Sequence, residues 1–241
     1  MNRQLVWDLP VRLFHGLLAL TFVGAFTIAN VVDDDSALFS AHMLLGLVMT
    51  FMVALRIIWG LVGTKHARFA DFAYGPKSVW AYLRDVFRGK PTHHAGHNPG
   101  SSVAIFLMLL FVLGLGVTGV LMASGNDALE DVHGVLSWAL LVTVVGHIAG
   151  IILHTVKQRD NITLTMIDGH KAVAPSEGIK SARPIVGLVF LVLVALLGWR
   201  LVAGFDPVTR TLTVPLIGGT LQLGEVDNGS QEGGIETPDD D

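Results

Sequence analysis

Five of the ten histidines, His15, His42, His133, His147 and His154, fall in or at the ends of long apolar runs. An ionisable side chain is costly to place in such a run. It usually faces the interior of a helix bundle and marks function there. The stretch 133–154, HGVLSWALLVTVVGHIAGIILH, carries three of the five and no charged residue. His133 and His147 are fourteen residues apart, nearly four helical turns. On a helix they are separated by about 21 Å and point within about 40° of each other, so both can face one bundle axis. The chain has no cysteine. Structural disulfides, thiolate-held iron–sulfur clusters and covalently attached c-type haem are therefore excluded, and any redox cofactor must be held by other side chains.

The elements that position these histidines read from hydropathy. Of 241 residues, 51% are hydrophobic and 15% charged, against about a quarter charged in a soluble domain; the mean hydropathy is +0.59. The excess is concentrated in five runs, 13–32, 42–62, 102–123, 133–154 and 185–204, each close to the ~20 apolar residues that cross a bilayer. The first run has a basic start, but it is longer than a signal-peptide core and lacks a small-x-small site before Asp33, so an uncleaved helix is expected. Fourteen of the sixteen Lys and Arg lie in the segments to Arg12, 56–90 and 157–183. The positive-inside rule makes those segments cytoplasmic. This predicts an N-terminus inside, a C-terminus outside, and residence in a bacterial inner membrane. The segment 75–90 has apolar residues at helical spacing and reads as an amphipathic helix on the inner interface, with Trp80 and Tyr82 at headgroup level. The stretch TRTLTVPLIGGTLQL alternates about a Gly-Gly turn and reads as a small outer hairpin; beyond Asp227 disorder is expected.

Direction gives each histidine a depth. His42 and His133 share the outer level, and His15 and His147 the inner one. Two neutral imidazoles facing each other across helices suit an axially ligated b-type haem, so two haem b groups stacked across the membrane are expected. A histidine-based metal transporter is the alternative, although the five runs contain no Asp or Glu to help hold a cation. Arg56, fourteen residues after His42, and Arg12, three before His15, are candidates for haem propionates or, equally, topology-setting arginines. Gly16, Gly46, Gly134, Gly146 and Gly150 lie beside or one turn from the histidines, where a macrocycle or a helix can approach. His154 reads as an interfacial histidine at its helix end. His97, Asn98 and the inner end of the fourth run are candidate quinone contacts.

The same residues resemble the bacterial cytochrome b561 / nickel-hydrogenase cytochrome b family. VWDLPVRLFH is similar to its W-D-x-x-x-R-x-x-H, and HMLLGLVMTFMVALRIIWGLVG to its H-x3-G…R-x-x-W-G-x-x-G. GHNPGS resembles G-H-N-P-x-G, and the stretch from His133 to Lys171 resembles H-x13-H-x-x-G…N-L-x-x-x-M-x-x-G-x-K. Gly16 departs from a frequent Trp, and His170 from a common basic residue. The resemblance, from Trp7 to Lys171, implies an all-α integral membrane four-helix haem-binding bundle. It implies His15 and His147 as ligands of an inner haem, and His42 and His133 as ligands of an outer one. It also implies electron transfer between a quinone pool and a periplasmic or membrane-associated redox protein, such as a c-type cytochrome or hydrogenase. A stand-alone oxidoreductase feeding quinone is a second reading. Lipid and quinone are expected partners; nucleic acid is not. The expected division is a cytochrome unit over 1–171, a linker and fifth transmembrane helix over 172–204, and an extracytoplasmic tail over 205–241, on which the resemblance is silent.

Overall fold

The computed structural model describes residues 3–90, 93–158, 162–214 and 219–224. Among the described residues, five helices are long and apolar enough to cross a membrane. They are α1 (Leu9–Val31), α2 (Phe39–Val62), α5 (Pro99–Met122), α6 (Glu130–Gln158) and α8 (Pro184–Gly204). Short helices α3 (Phe69–Phe72), α4 (Pro76–Phe87) and α7 (Ile162–Asp168) lie between them. Every span starts before its apolar run, because hydropathy marks the part that crosses hydrocarbon and not the turns that cap it. Asp8 caps α1 by accepting from Val11 N, and Asn98 caps α5 by accepting from Ser101 N; each is followed by proline in the first turn. The largest difference is α6, 29 residues long, which extends through the polar ends Glu130–Val132 and Thr155–Gln158.

Two helical hairpins, α1–α2 and α5–α6, join along α2 and α5, and α8 packs on α1 and α2. The core between them is Phe14, Met49, Met52, Val53, Leu109, Val112, Leu140 and Phe190. In α6 only 6% of the most apolar window is buried, against 28% in α2. α6 meets α1 through the edge-on pair Phe26 and Trp138, 5.8 Å apart, but the two helices are not among the closely packed pairs. The bundle is thus well packed on three sides and loose between α1 and α6.

The end of the bundle carrying the chain's N-terminus is elaborated. Strand β1 (Arg3–Leu5) pairs antiparallel with β2 (His170–Ala172). Val6, Trp7, Val11, Ala67 and Val173 form a second core there. Strands of three residues are too short to show an alternation, which is why sequence pattern does not announce them. The expected amphipathic helix is α4; it has no buried residue, and Trp80 and Phe87 are largely exposed. At the opposite end, α8 runs directly into β3 (Phe205–Asp206), which pairs with β4 (Thr211–Val214), and β4 pairs with β5 (Gly219–Gln222). The alternating hairpin expected there is present, with Leu212 opposite Leu221 on one face. Its Gly-Gly turn lies partly, and the tail beyond Asp227 wholly, outside the described residues.

Candidate functional site

At the hairpin end, α2 presents His42 and α6 presents His133. Their ring centres are 6.3 Å apart and the rings are inclined at 77°. Each ring is held by its Nδ1. His42 Nδ1 lies 2.9 Å from the carbonyl oxygen of Ala25 on α1, an acceptor only, so this nitrogen carries the proton. His133 Nδ1 lies 2.8 Å from the Thr118 hydroxyl on α5. That hydroxyl already directs its proton to the carbonyls of Gly114 and Leu115. With its one proton directed to either carbonyl, the hydroxyl accepts from His133 Nδ1, which gives the same tautomer. Both rings keep a lone pair on Nε2, the state in which imidazole binds a metal. A metal ~2.0–2.1 Å from one nitrogen of each ring puts the ring centres about 6 Å apart, which agrees with the observed spacing.

The two rings border one partly open cavity. Its walls are apolar, from Phe22, Phe26, Met43, Leu115, Leu140 and Leu221 among others. A Cβ built at Gly46, one turn beyond His42, would meet nothing within 4 Å. Gly119 on α5 faces the His133 ring, where a Cβ would lie 3.5 Å from Cε1, an ordinary contact. Paired imidazoles with free Nε2 atoms, apolar walls and open glycine faces fit a flat, largely apolar macrocycle with a central metal.

At the N-terminal end, His15 and His147 are close enough to interact electrostatically, and Gly16 and Gly146 beside them open onto space. His97 is packed between Trp7 and Phe72, with ring centres 4.5 and 4.6 Å away. Burial holds the His97 imidazole well below its ordinary value, helped by the positive charge of Arg56 and by His147, His66 and His15. His97 is therefore neutral, and it lies within electrostatic reach of His15, His147 and Arg56. Arg56 is buried, lies over the Phe69 ring at 5.0 Å and donates from Nη2 to Ala67 O at 3.0 Å. Its Nη1 is buried with no partner among the described residues. Arg12 donates to the Ile167 carbonyl, and its Nε is likewise buried and unpaired.

Several motif residues prove to be structural. Asp8 caps α1 and also accepts from Trp59 Nε1 at 3.0 Å and Thr64 Oγ1 at 2.6 Å, tying the start of α1 to the end of α2. Asn98 spends its side-chain oxygen on the α5 cap. Trp7 donates to Thr165. His154 is near His94, whose imidazole is held down by burial and then by Lys171, His93 and His154. Neither falls in the two histidine pairs. Sequence reading missed Thr118, the Ala25 carbonyl and the hairpin leucines.

The model of the prokaryotic cytochrome b561 family matches residues 6–169. Among curated proteins, this chain is similar to the probable Ni/Fe-hydrogenase B-type cytochrome subunit of Bradyrhizobium diazoefficiens, with 26% identity over 211 residues that cover 69% of this chain and 85% of that protein. The Rhizobium leguminosarum protein of the same name is 27% identical, covering 69% and 87%. The probable Ni/Fe-hydrogenase 1 B-type cytochrome subunit of Escherichia coli K12 is 23% identical over 214 residues, covering 69% and 90%. No solved structure matches the chain significantly.

Proposed function

The chain belongs to the prokaryotic cytochrome b561 family, and from that premise we propose that it carries electrons between two haem b groups, one at each end of its bundle. That it is a multi-pass membrane b-type cytochrome of electron transfer follows from the family and the five apolar helices. The number of haems, their ligands and the partners are our reading. His42 and His133 hold the haem at the hairpin end, and His15 and His147 the other. A bound haem b supplies a one-electron iron couple, and the protein sets its potential through ligation, hydrogen bonding and burial. Ala25 and Thr118 orient the first pair of imidazoles. Arg56 and Arg12, whose Nη1 and Nε have no partner among the described residues, offer N–H groups to the propionates of the second haem, where charge-assisted bonds are strongest.

The observation that carries this reading is the engagement of both Nδ1 atoms at the hairpin end, which leaves two Nε2 atoms and a ring spacing of 6.3 Å. A cation transporter is less well supported, because no three His, Asp or Glu side chains converge among the described residues.

The cytochrome unit spans 1–171 and the fifth helix and tail are additions to it. The basic loops support a cytoplasmic N-terminus and a hairpin on the periplasmic side of the inner membrane. The relatives are named as subunits of Ni/Fe hydrogenases, which favours a hydrogenase as redox partner over a c-type cytochrome. Quinone is the proposed membrane partner. A reduced-minus-oxidised visible spectrum with haem quantification tests the reading. Two b haems per chain support it; a colourless protein after expression with ample haem refutes it.

A further inference from the structure

The hairpin at the end of α8 lies beyond residue 169, where the family match stops, yet it is built into the cofactor cavity. Leu221 and Leu223 line that cavity together with His42 and His133. Leu221 is on the edge strand β5 and Leu223 directly follows that strand, two residues on, so in extended backbone their side chains share one face. Leu212, opposite Leu221, is buried, as is Leu223. The other face, Thr213, Thr220 and Gln222, is exposed. Two hydrogen bonds clamp this strand across the mouth of the cavity. Gln222 N donates to Ala123 O at the end of α5, at 2.9 Å. The buried Ser40 hydroxyl, two residues before His42 on α2, donates to Leu223 O at 2.5 Å. Leu223 N is bonded in turn to Arg210 O at 2.7 Å, which holds the strand to its own hairpin. The strand therefore bridges the two helices that meet at the bundle centre, and α8, packed on α1 and α2, delivers it there.

We propose that Leu221 and Leu223 are cofactor-contacting residues, and that the hairpin is a fixed apolar lid over the haem held by His42 and His133. This rests on the ligand reading above. A lid of this kind excludes water from one face of the site. Low dielectric disfavours the more highly charged, oxidised iron, so the lid raises that haem's potential relative to an open site. It also keeps small hydrophilic oxidants from the haem edge, so a docked partner exchanges electrons through the hairpin. The fifth helix then has a task, as the strut that aims the lid.

The test uses the full chain with Leu221→Ser and Leu223→Ser combined, and separately Ser40→Ala, which releases the latch without changing the cavity wall. Haem content, redox titration of both haems and the rate of oxidation by ferricyanide are compared with the parent protein. The lid predicts that the double variant lowers the potential of one haem by about a tenfold change in oxidised-to-reduced ratio, ~59 mV for one electron. Ferricyanide oxidation of that haem becomes several-fold faster, and Ser40→Ala moves both readouts the same way by less. The affected haem is the one lost on His42→Ala. Selective loss of that haem from the double variant also supports the lid. If the double variant fails to accumulate, Ser40→Ala decides. Unchanged potentials and oxidation rates in a protein with two haems overturn the lid and leave the ligand reading standing. A parent protein without haem overturns the ligand reading, and the lid with it.

Discussion

Thr118→Val tests the orientation of His133 without removing a ligand. The hydroxyl lies 2.8 Å from His133 Nδ1, and its own proton is committed to Gly114 O at 2.9 Å and Leu115 O at 3.2 Å. Valine keeps the shape, loses the acceptor and is tolerated at a buried helical site. The Nδ1–H of His133 is then left without its partner. Such a loss costs about 1–3 kcal/mol, or about 5- to 150-fold in an equilibrium. Removal of the hydrogen-bond partner of a metal-bound histidine costs about 10–100-fold in affinity, so two independent estimates agree. The assay is haem transfer from the detergent-solubilised cytochrome to apomyoglobin. One haem should leave the valine variant 10–100 times faster, while the other leaves at the parental rate. Without the acceptor, His133 is also a poorer electron donor to iron, so the potential of that haem rises. Thr118→Ser, which keeps the hydroxyl, should behave like the parent. Parental haem retention in Thr118→Val, or loss of the haem that His15→Ala removes, would refute the reasoning.

Other outcomes follow from the same geometry. His42→Ala and His133→Ala should each abolish the same haem signal and spare the other; if His42→Ala removes the haem lost by His15→Ala, the pairing by depth is wrong. Arg56→Gln removes a buried cation whose Nη1 has no partner among the described residues. It should lower the potential of the haem at the N-terminal end in a redox titration and leave the hairpin-end haem unchanged. His97 is held well below its ordinary value near 6.5 by burial and by Arg56. The unfolded chain therefore binds the proton that the folded chain refuses, and stability is full above about pH 6.5 and falls as the pH drops below it. Thermal unfolding between pH 7.5 and 5 should show this slope, and His97→Phe, which keeps the contacts to Trp7 and Phe72, should flatten it; an equal slope in the variant would remove His97 as its source.

Much of the architecture was legible because the bilayer simplifies the physics. Apolar run length, with nothing else, locates five spans to within a few residues. The uneven Lys and Arg give an expected direction, and the alternation of successive spans brings His42 and His133 to a shared level. Contacts made by backbone or by small polar groups were not legible. The acceptor for His42 is the carbonyl of Ala25, and no residue type announces a carbonyl. Thr118 looks like any helix-facing threonine until its hydroxyl is found between two carbonyls and an imidazole. The W-D and R-x-x-W motifs stood out in the sequence, yet Asp8 and Trp59 serve to fasten two helix ends together. The strand pairing of Arg3–Leu5 with His170–Ala172 joins segments that are remote in sequence and too short for a pattern.

One rule would have found Thr118. A helical hairpin folds the chain back on itself, so residues at similar distances from its turn lie level. Thr118 is eight residues before Asn126 and His133 seven after it; Ala25 is nine before Asp34 and His42 eight after it. Each histidine at this end is therefore oriented by the preceding span of its own hairpin, α1 for His42 and α5 for His133. The Nδ1 partner of each ring thus lies within its own helical hairpin. Association of α2 with α5 then needs only to bring two prepared Nε2 atoms to a common distance. The lid strand, clamped to Ser40 on one unit and Ala123 on the other, closes over that distance once it is made. Because each ring is tied within its own hairpin and the hairpins join along α2 and α5, the packing between α2 and α5, more than any single hydrogen bond, determines ring spacing. The glycine that sets that packing is Gly116, where a Cβ would come within 2.3 Å of Thr50 Oγ1. Gly116→Leu should therefore disturb the haem at the hairpin end while leaving both histidines and both of their Nδ1 partners in place. Retention of that haem at the parental affinity and potential would show that the spacing is set elsewhere.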